Sequence, residues 1–414
     1  MMIMMMGTAG ENIPKAPKEK TVFVEDLTDT DIPTGFPPGL ENLGNTCYMN
    51  STIQCLKAIP ELKQQLMKME SAGQLNPNTM LSRSLRDLFA RMDNQHSGIS
   101  PGGFLSALRQ VFPRFAARDD HGGFMQQDAQ ECWTEIVNCI NRAAPGVNTS
   151  DQNNTFVKQY LGLEMDSKIQ CLDSPDEPAT TEKESQFILS CNITTEVNHL
   201  VNGIKLSLQN KLEKTSPTTG SIAQYQKTSG FSRLPNYLTI QYVRFYWKAS
   251  TSTSAKILRN VKFPLELDMY EFSTPELQAK LKPARQLFVE QSERDADSSA
   301  KAKADDDKVK MDADQKTGKK SMPSEFADDT GSNNSGFYEL KAVLTHKGRS
   351  SDSGHYVAWV RSETNAKEWM LFDDDKVTSA TEEQVLALSG GGDWHMAYIL
   401  LYGPKVLKSD ADLA

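Results

Sequence analysis

Apolar Met49, Ile53 and Leu56 recur at spacings of four and three, which predicts an amphipathic helix that opens at Cys47 and is ended by Pro60. Residues 61–69 and 81–92 show the same period, the second through Leu81, Leu85, Leu88 and Phe89, and 100–112 adds a helix with Pro101 at its start. Within 126–140 a stripe of Trp133, Val137 and Ile140 predicts another helix, with Asp128 and Glu131 spaced as a capping box. The Asn/Ser-rich stretch 145–155 reads as a loop. From 156 to 265 the pattern is that of strands with turns, clearest at 187–193, 237–245 and 257–263. Strands are also expected at 21–24, 337–346, 355–360, 368–375 and 397–402.

Residues 1–19 and 406–414 read as tails, and 291–329, rich in Lys, Asp and Ala with few large apolar residues, as a disordered insertion. The length of 414 residues suits about two or three domains. If residues near the two ends share one site, most of the chain instead folds as one discontinuous unit, spanning 20–405. A hydrophobic share of 38% with 24% charged residues suits a water-soluble chain with a sizeable core. The net charge of -9 disfavours general nucleic-acid binding and suits a basic protein partner. Six separate cysteines do not resemble a disulfide scaffold, so a reducing compartment is expected, the cytoplasm and also the nucleus. The opening Met-rich run is too short for a signal core or a span and lacks a basic n-region, so no membrane association is expected.

The chemistry gathers at two places. Cys47 follows the turn-forming run Gly39-Leu-Glu-Asn-Leu-Gly-Asn-Thr and stands at a helix start, where free N–H groups and the macrodipole favour a thiolate. Backbone donors there, with the Asn42 amide, can hold an oxyanion. Cys55, on the same helix, fits the blander fate of a small buried cysteine. His355 follows a Gly/Ser loop and begins a strand, and the next strand ends in Asp373-Asp-Asp375, whose alternation puts Asp373 and Asp375 on one face. His96 and His121 read as surface residues, His346 as a strand-end residue, and His395 as the polar start of the last strand.

Gly-Leu-Glu-Asn-Leu-Gly-Asn-Thr-Cys-Tyr-Met-Asn-Ser resembles the Cys box of the ubiquitin-specific proteases, and Gly-His-Tyr-Val with Phe-Asp-Asp-Asp-Lys-Val resembles their His box. Gln126-Gln-Asp-Ala-Gln-Glu131 also matches. Lys20-Thr-Val-Phe-Val-Glu-Asp26, Arg233-Leu-Pro-Asn-Tyr-Leu-Thr-Ile-Gln241 and Ser389-Gly-Gly-Gly-Asp-Trp-His395 are similar to the proteasome-associated branch. That branch carries an N-terminal ubiquitin-like domain for which this chain has no room ahead of residue 20.

The resemblance implies an α+β, papain-like cysteine protease with a helical thumb and antiparallel β palm and fingers. It implies hydrolysis of the bond after ubiquitin's C-terminal glycine by Cys47 as nucleophile, His355 as base and acid, Asp373 as its orienter and Asn42 as an oxyanion donor. Gln127, Asp128, Glu131, Tyr356 and Tyr398 would contact the ubiquitin tail. Loops at 244–254 and 348–354 would lie over the cleft as a lid. The implied partners are ubiquitin, its conjugates and the regulatory particle of the 26S proteasome, met by a monomer. Many members staple the fingers with zinc held by two Cys-x-x-Cys pairs. This chain has none, and Cys171 and Cys191 stand alone, so neither metal nor other cofactor is expected. A silent ubiquitin-binding scaffold on the same fold is the alternative, disfavoured because Cys47, His355 and Asp373 are all present. A papain-like hydrolase of other peptides would lack the long β-rich insertion.

Overall fold

The computed structural model describes residues 36–69, 76–95, 98–248, 253–304, 323–350, 353–362, 365, 367–392 and 394–407. The strand expected at 21–24, the tail 1–19 and His96 lie outside the described residues, as do 305–322 of the expected insertion and 408–414 of the last tail.

The first described elements are six helices: α1 (Cys47–Lys57), α2 (Pro60–Met67), α3 (Pro77–Asn94), α4 (Gly102–Val111), α5 (Ala129–Ala143) and α6 (Phe156–Leu161). The expected single apolar stripe understates α1. Every residue from Cys47 to Leu56 is buried, because α1 lies between the other helices and a sheet. Its polar side chains bond locally: Ser51 donates to the Cys47 carbonyl at 2.7 Å, Thr52 to that of Tyr48 at 2.8 Å, and Gln54 to that of Pro38 at 3.1 Å. Helix α3 starts earlier than its apolar period, since Asn76 and Thr79 form a reciprocal cap with Pro77 in the first turn. Helix α6 falls where the pattern predicts strand, and its signal is the Thr155 hydroxyl capping Lys158 N–H.

A four-stranded antiparallel sheet follows, built from β1 (Leu163–Cys171) and β2 (Thr180–Gln186), then, after β3 (Leu189–Asn192) and α7 (Leu200–Ser207), from β4 (Gln209–Thr215) and β5 (Ile222–Arg233) in the order β2-β1-β5-β4. Helix α7 is a second correction to the all-strand reading of 156–265. A Cβ on its Gly203 would stand 2.3 Å from Cys191 Sγ, so only glycine lets α7 lie on β3. Cys171 and Cys191 fall in different sheets. The small finger core is Ile169, Cys171, Ala223 and Tyr225, and beside it the Glu177 carboxylate accepts from Tyr225 Oη and Ser216 Oγ, each at 2.6 Å.

The remaining strands are β6 (Leu238–Val243), β7 (Phe245–Lys248), β8 (Thr253–Lys256), β9 (Glu266–Asp268), then, after α8 (Pro275–Ala304), β10 (Phe337–Lys347), β11 (His355–Arg361), β12 (Trp369–Asp373), β13 (Lys376–Ala380) and, after α9 (Glu382–Leu386), β14 (Met396–Pro404). The palm sheet runs β13-β12-β11-β10-β14-β6-β3 with β9 on β10, and it is antiparallel except that β3 and β6 run parallel. One face packs on α1 and the thumb helices. The other holds a second core around Trp359, Trp369, Tyr402 and Tyr338.

Two expectations need correction here. Residues 257–263 are not a strand: one bridge, His199 to Lys262, is all that the sheet pattern gives them. Buried Arg244 anchors the segment instead, donating to the carbonyls of Ile257, Arg259, Ser389 and Ala397 at 2.7–3.2 Å. The span 291–329 is ordered at both described ends. Helix α8 continues to Ala304 through residues of good helix propensity, and Asp329 receives a two-pronged bond from Arg233 at 2.8 and 2.9 Å.

Because Arg244 is buried and bonds four carbonyls, Arg244→Ala is expected to destabilise the fold by about 3 kcal/mol or more, read as a lower urea midpoint. An unchanged midpoint would mean that those carbonyls find other donors.

Candidate active site

Helix α1 enters the site through a strained turn. Gly44 and Asn45 both have positive φ, 91° and 52°, which the Gly-Asn pair tolerates where bulkier residues would not. The turn is tied inward: Asn42 Oδ1 accepts from Gly44 N–H at 3.0 Å and Thr46 N–H at 3.3 Å, and Asn45 Nδ2 donates to the Phe124 carbonyl at 2.8 Å. Cys47 therefore begins the helix with its position held from both sides.

Strand β11 brings the partner. Tyr356 N–H reaches Cys47 Sγ at 3.5 Å, which sets the adjoining His355 beside that sulfur, and His355 Nε2 bonds Asp373 Oδ1 at 2.6 Å. His355 is pushed up to about 9, first by its bond to Cys47, then by Asp373, against the opposing effect of burial. The imidazolium is thus the favoured form beside the sulfur. Gly354 makes the strand start possible: its φ is 112°, and a Cβ there would stand 2.1 Å from the Lys347 carbonyl.

The other described cysteines sit in different surroundings. Burial drives Cys55 and Cys132 far above the ordinary thiol range and pushes Cys139 and Cys191 up to about 11. They are held as neutral thiols. His346 is no second base. It is fully buried, depressed to about 3 by desolvation and by the neighbouring Lys256, and it bonds Lys256 Nζ at 2.9 Å and the Ser353 carbonyl at 3.0 Å. His121 is exposed, as expected.

Asp374 is the residue that sequence reasoning passed over. Its Oδ2 accepts from Asn42 Nδ2 and its Oδ1 from Asn50 Nδ2, both at 2.8 Å, while its carbonyl accepts from Leu40 N–H, also at 2.8 Å. The Cys-box turn and the His-box hairpin are thereby pinned together by one carboxylate. Strand alternation drew attention to Asp373 and Asp375. The signal for Asp374 was the turn between β12 and β13, where it takes φ 54°. Asn42 gives one amide hydrogen to Asp374, which fixes the plane of the group and leaves the other hydrogen free to point elsewhere.

The five expected tail contacts divide. Asp128 caps α5 by accepting from Gln130 N–H at 2.7 Å, and Tyr398 Oη donates to both its oxygens at 2.9 Å. Burial raises the Asp128 carboxyl above its usual range. The expected capping box does not form, because Glu131 turns to Arg114 at 3.6 Å. Gln127 Nε2 donates to the Met125 carbonyl at 3.2 Å. Tyr356 and Tyr398 are only 1% and 3% exposed, and Phe245 packs edge-on against Tyr398 and against His346, each with ring centres 5.2 Å apart. Asp128 and the two tyrosines form one cluster, while Gln127 and Glu131 stand at its rim.

A family model described as ubiquitin carboxyl-terminal hydrolase matches residues 38–402. The chain is 43% identical to ubiquitin carboxyl-terminal hydrolase 6 of Arabidopsis thaliana, over 98% of this chain and 86% of that protein. It is 39% identical to ubiquitin carboxyl-terminal hydrolase 14 of Caenorhabditis elegans, over 100% of this chain and 82% of that one. Among solved structures, the SAGA Ubp8/Sgf11/Sus1/Sgf73 DUB module bound to ubiquitin aldehyde resembles it in fold, with a TM-score of 0.59 at 19% identity, covering 90% of this chain and 70% of that one.

Since His355 is raised above 6.5 to about 9, the charge pairing is fully present below pH 6.5 and is lost as pH rises through about 9. Alkylation of Cys47 by the anion iodoacetate, which the imidazolium attracts, should therefore fall as pH rises through about 9, and Asp373→Asn should move that fall to lower pH; an unmoved fall would remove Asp373 from the charge pairing. Asp374→Asn, which tolerates the positive φ but cannot accept from both amides, is expected to lower kcat by about tenfold with thermal stability nearly unchanged. Wild-type kcat in that variant would show that Asn42 and Asn50 hold their places without it.

Proposed function

The chain belongs to the ubiquitin carboxyl-terminal hydrolase family and is a cysteine-type deubiquitinase, and we propose that it trims ubiquitin from proteasome-bound substrates in the cytoplasm or nucleus by the Cys47–His355–Asp373 relay. The observation that carries the relay is the His355 imidazole, bonded to Asp373 at 2.6 Å and raised to about 9 first by Cys47 beside it. The Cys47 thiolate attacks the carbonyl carbon of ubiquitin's last glycine. The oxyanion is taken by the Cys47 N–H and the Asn42 amide, the latter held in plane by Asp374. His355 gives its proton to the leaving amine, and a thioester remains. Water then loses a proton to His355, attacks the thioester, and frees both the ubiquitin carboxylate and the sulfur. Asp373 keeps the ring oriented throughout.

In this reading the ubiquitin tail runs past Gln127, Asp128 and Glu131 on one side and Tyr356 and Tyr398 on the other. The near-complete burial of both tyrosines, with Phe245 packed on Tyr398, supports a lid that must open before the tail enters. Buried Lys256, bonded to the carbonyls of His346 and Gly348 at 2.7 and 3.2 Å, links the 244–256 segment to the loop ahead of His355, so the two would move together. The proteasome assignment is supported by the similarity of the stretches around Lys20, Arg233 and Ser389 to the proteasome-associated branch.

Cleavage of a ubiquitin conjugate by wild type and by Cys47→Ala, each with and without added proteasomes, tests the reading. Wild-type turnover that rises at least severalfold with proteasomes, and no turnover by Cys47→Ala despite retained ubiquitin binding, is the expected result. Hydrolysis by Cys47→Ala would reject the nucleophile, and proteasome-independent turnover would reject the proteasome role.

A further inference from the structure

A cavity of about 500 Å³ opens on the side of His355 away from the thumb. Alternation along β11 sends Tyr356 and Ala358 to the face that packs on α1, and Val357 and Trp359 to the other, where β12 adds Leu371. His355 and Asp373 line the cavity, so the imidazole that is raised by Cys47 also walls this space. Trp394 stands at the mouth, 64% exposed, edge-on to His395 at 5.4 Å and with Lys347 Nζ 4.5 Å from its ring centre. The core has no need of an indole left so far in solvent. Trp394 shares this cavity with the reacting histidine, so a group held against its ring lies near His355.

Isopeptide hydrolysis brings two chains to one thiol. The acyl chain takes the cluster of Asp128, Tyr356 and Tyr398, and the leaving lysine must keep its nitrogen within reach of His355. We propose that this cavity is the leaving-side subsite, receiving the aliphatic stem of the substrate lysine against Trp394 and the floor of Val357, Trp359 and Leu371, with Lys347 favouring an acidic residue beside that lysine. This rests on the roles given to Cys47 and His355 above. A lysine stem buries its methylenes on apolar and aromatic surface while its end stays polar. The isopeptide nitrogen is uncharged on entry, so nothing opposes it beside Lys347. The proton from His355 completes a neutral primary amine, which takes a second proton from water and becomes an ammonium near a like charge, favouring release.

Two substrates for the full chain separate the possibilities: ubiquitin C-terminal methyl ester, whose leaving group is too small to occupy the cavity, and ubiquitin isopeptide-linked to the lysine of a short peptide. Trp394→Ala is expected to lower kcat/KM for the peptide conjugate by about tenfold while the methyl ester changes by less than about twofold, and Trp394→Phe should restore most of the loss. Wild type should prefer Glu to Lys beside the acceptor lysine, and Lys347→Glu should reverse that preference. Equal losses on both substrates would mean that Trp394 only supports the fold, and no loss on either would mean that the cavity is empty during turnover; each overturns the proposal. A failure of the catalytic roles reads differently, as methyl-ester hydrolysis that survives in Cys47→Ser.

Discussion

The structure turns on a contact between the two ends of the chain, Cys47 Sγ against the N–H of Tyr356, 309 positions away and 3.5 Å distant. It holds because α1 is buried on every side, so the thumb and palm cores cannot form without placing its first residue at the start of β11. Asp374 closes the seam from the far hairpin by accepting from Asn42 and Asn50. An uncovered polar face on α1 would have left the helix free to shift. Here its Ser, Thr, Asn and Gln side chains all bond inside the protein, which fixes its axial position as well as its rotation.

Electrostatics follows from that placement. His355 is partly exposed and lies between a sulfur and a carboxylate, and its charge is favoured. His346, on the adjacent strand and fully buried beside a lysine, is held neutral. Two histidines from one hairpin thus have opposite protonation tendencies, because one bonds a carboxylate and the other is desolvated beside a cation. The cysteines show the same contrast in their surroundings: Cys55 shares α1 with Cys47 but is buried in the apolar core, which holds it as a neutral thiol.

Much of this was legible in the residue order, and what was not has physical causes. Cys47, His355 and Asp373 sit in local motifs whose helix and strand positions follow from apolar period alone, and the structure brings them together. Asp374 escaped because its importance comes from a turn conformation and from partners 332 and 324 positions away, which no local pattern encodes. Helices α6 and α7 are short, and the local signals were the Thr155 cap of α6 and the single glycine at 203 in α7. The full burial of α1 depends on two layers meeting around it. Low apolar content at 291–329 concealed a helix whose continuation rests on propensity, as well as the grip of Arg233 on Asp329. The sequence marks Tyr356 and Tyr398 as lining positions, and the structure buries both, with Phe245 packed on Tyr398.

The most direct measurement is to react the protein with ubiquitin carrying a C-terminal electrophile and to locate the adduct by mass spectrometry of the digested product. A single adduct on Cys47, lost in His355→Ala, is the predicted result, since only that sulfur meets an imidazole. An adduct on Cys55, Cys132, Cys139, Cys171 or Cys191, or undiminished labelling of Cys47 without His355, would contradict the paired site on which the whole structure is read.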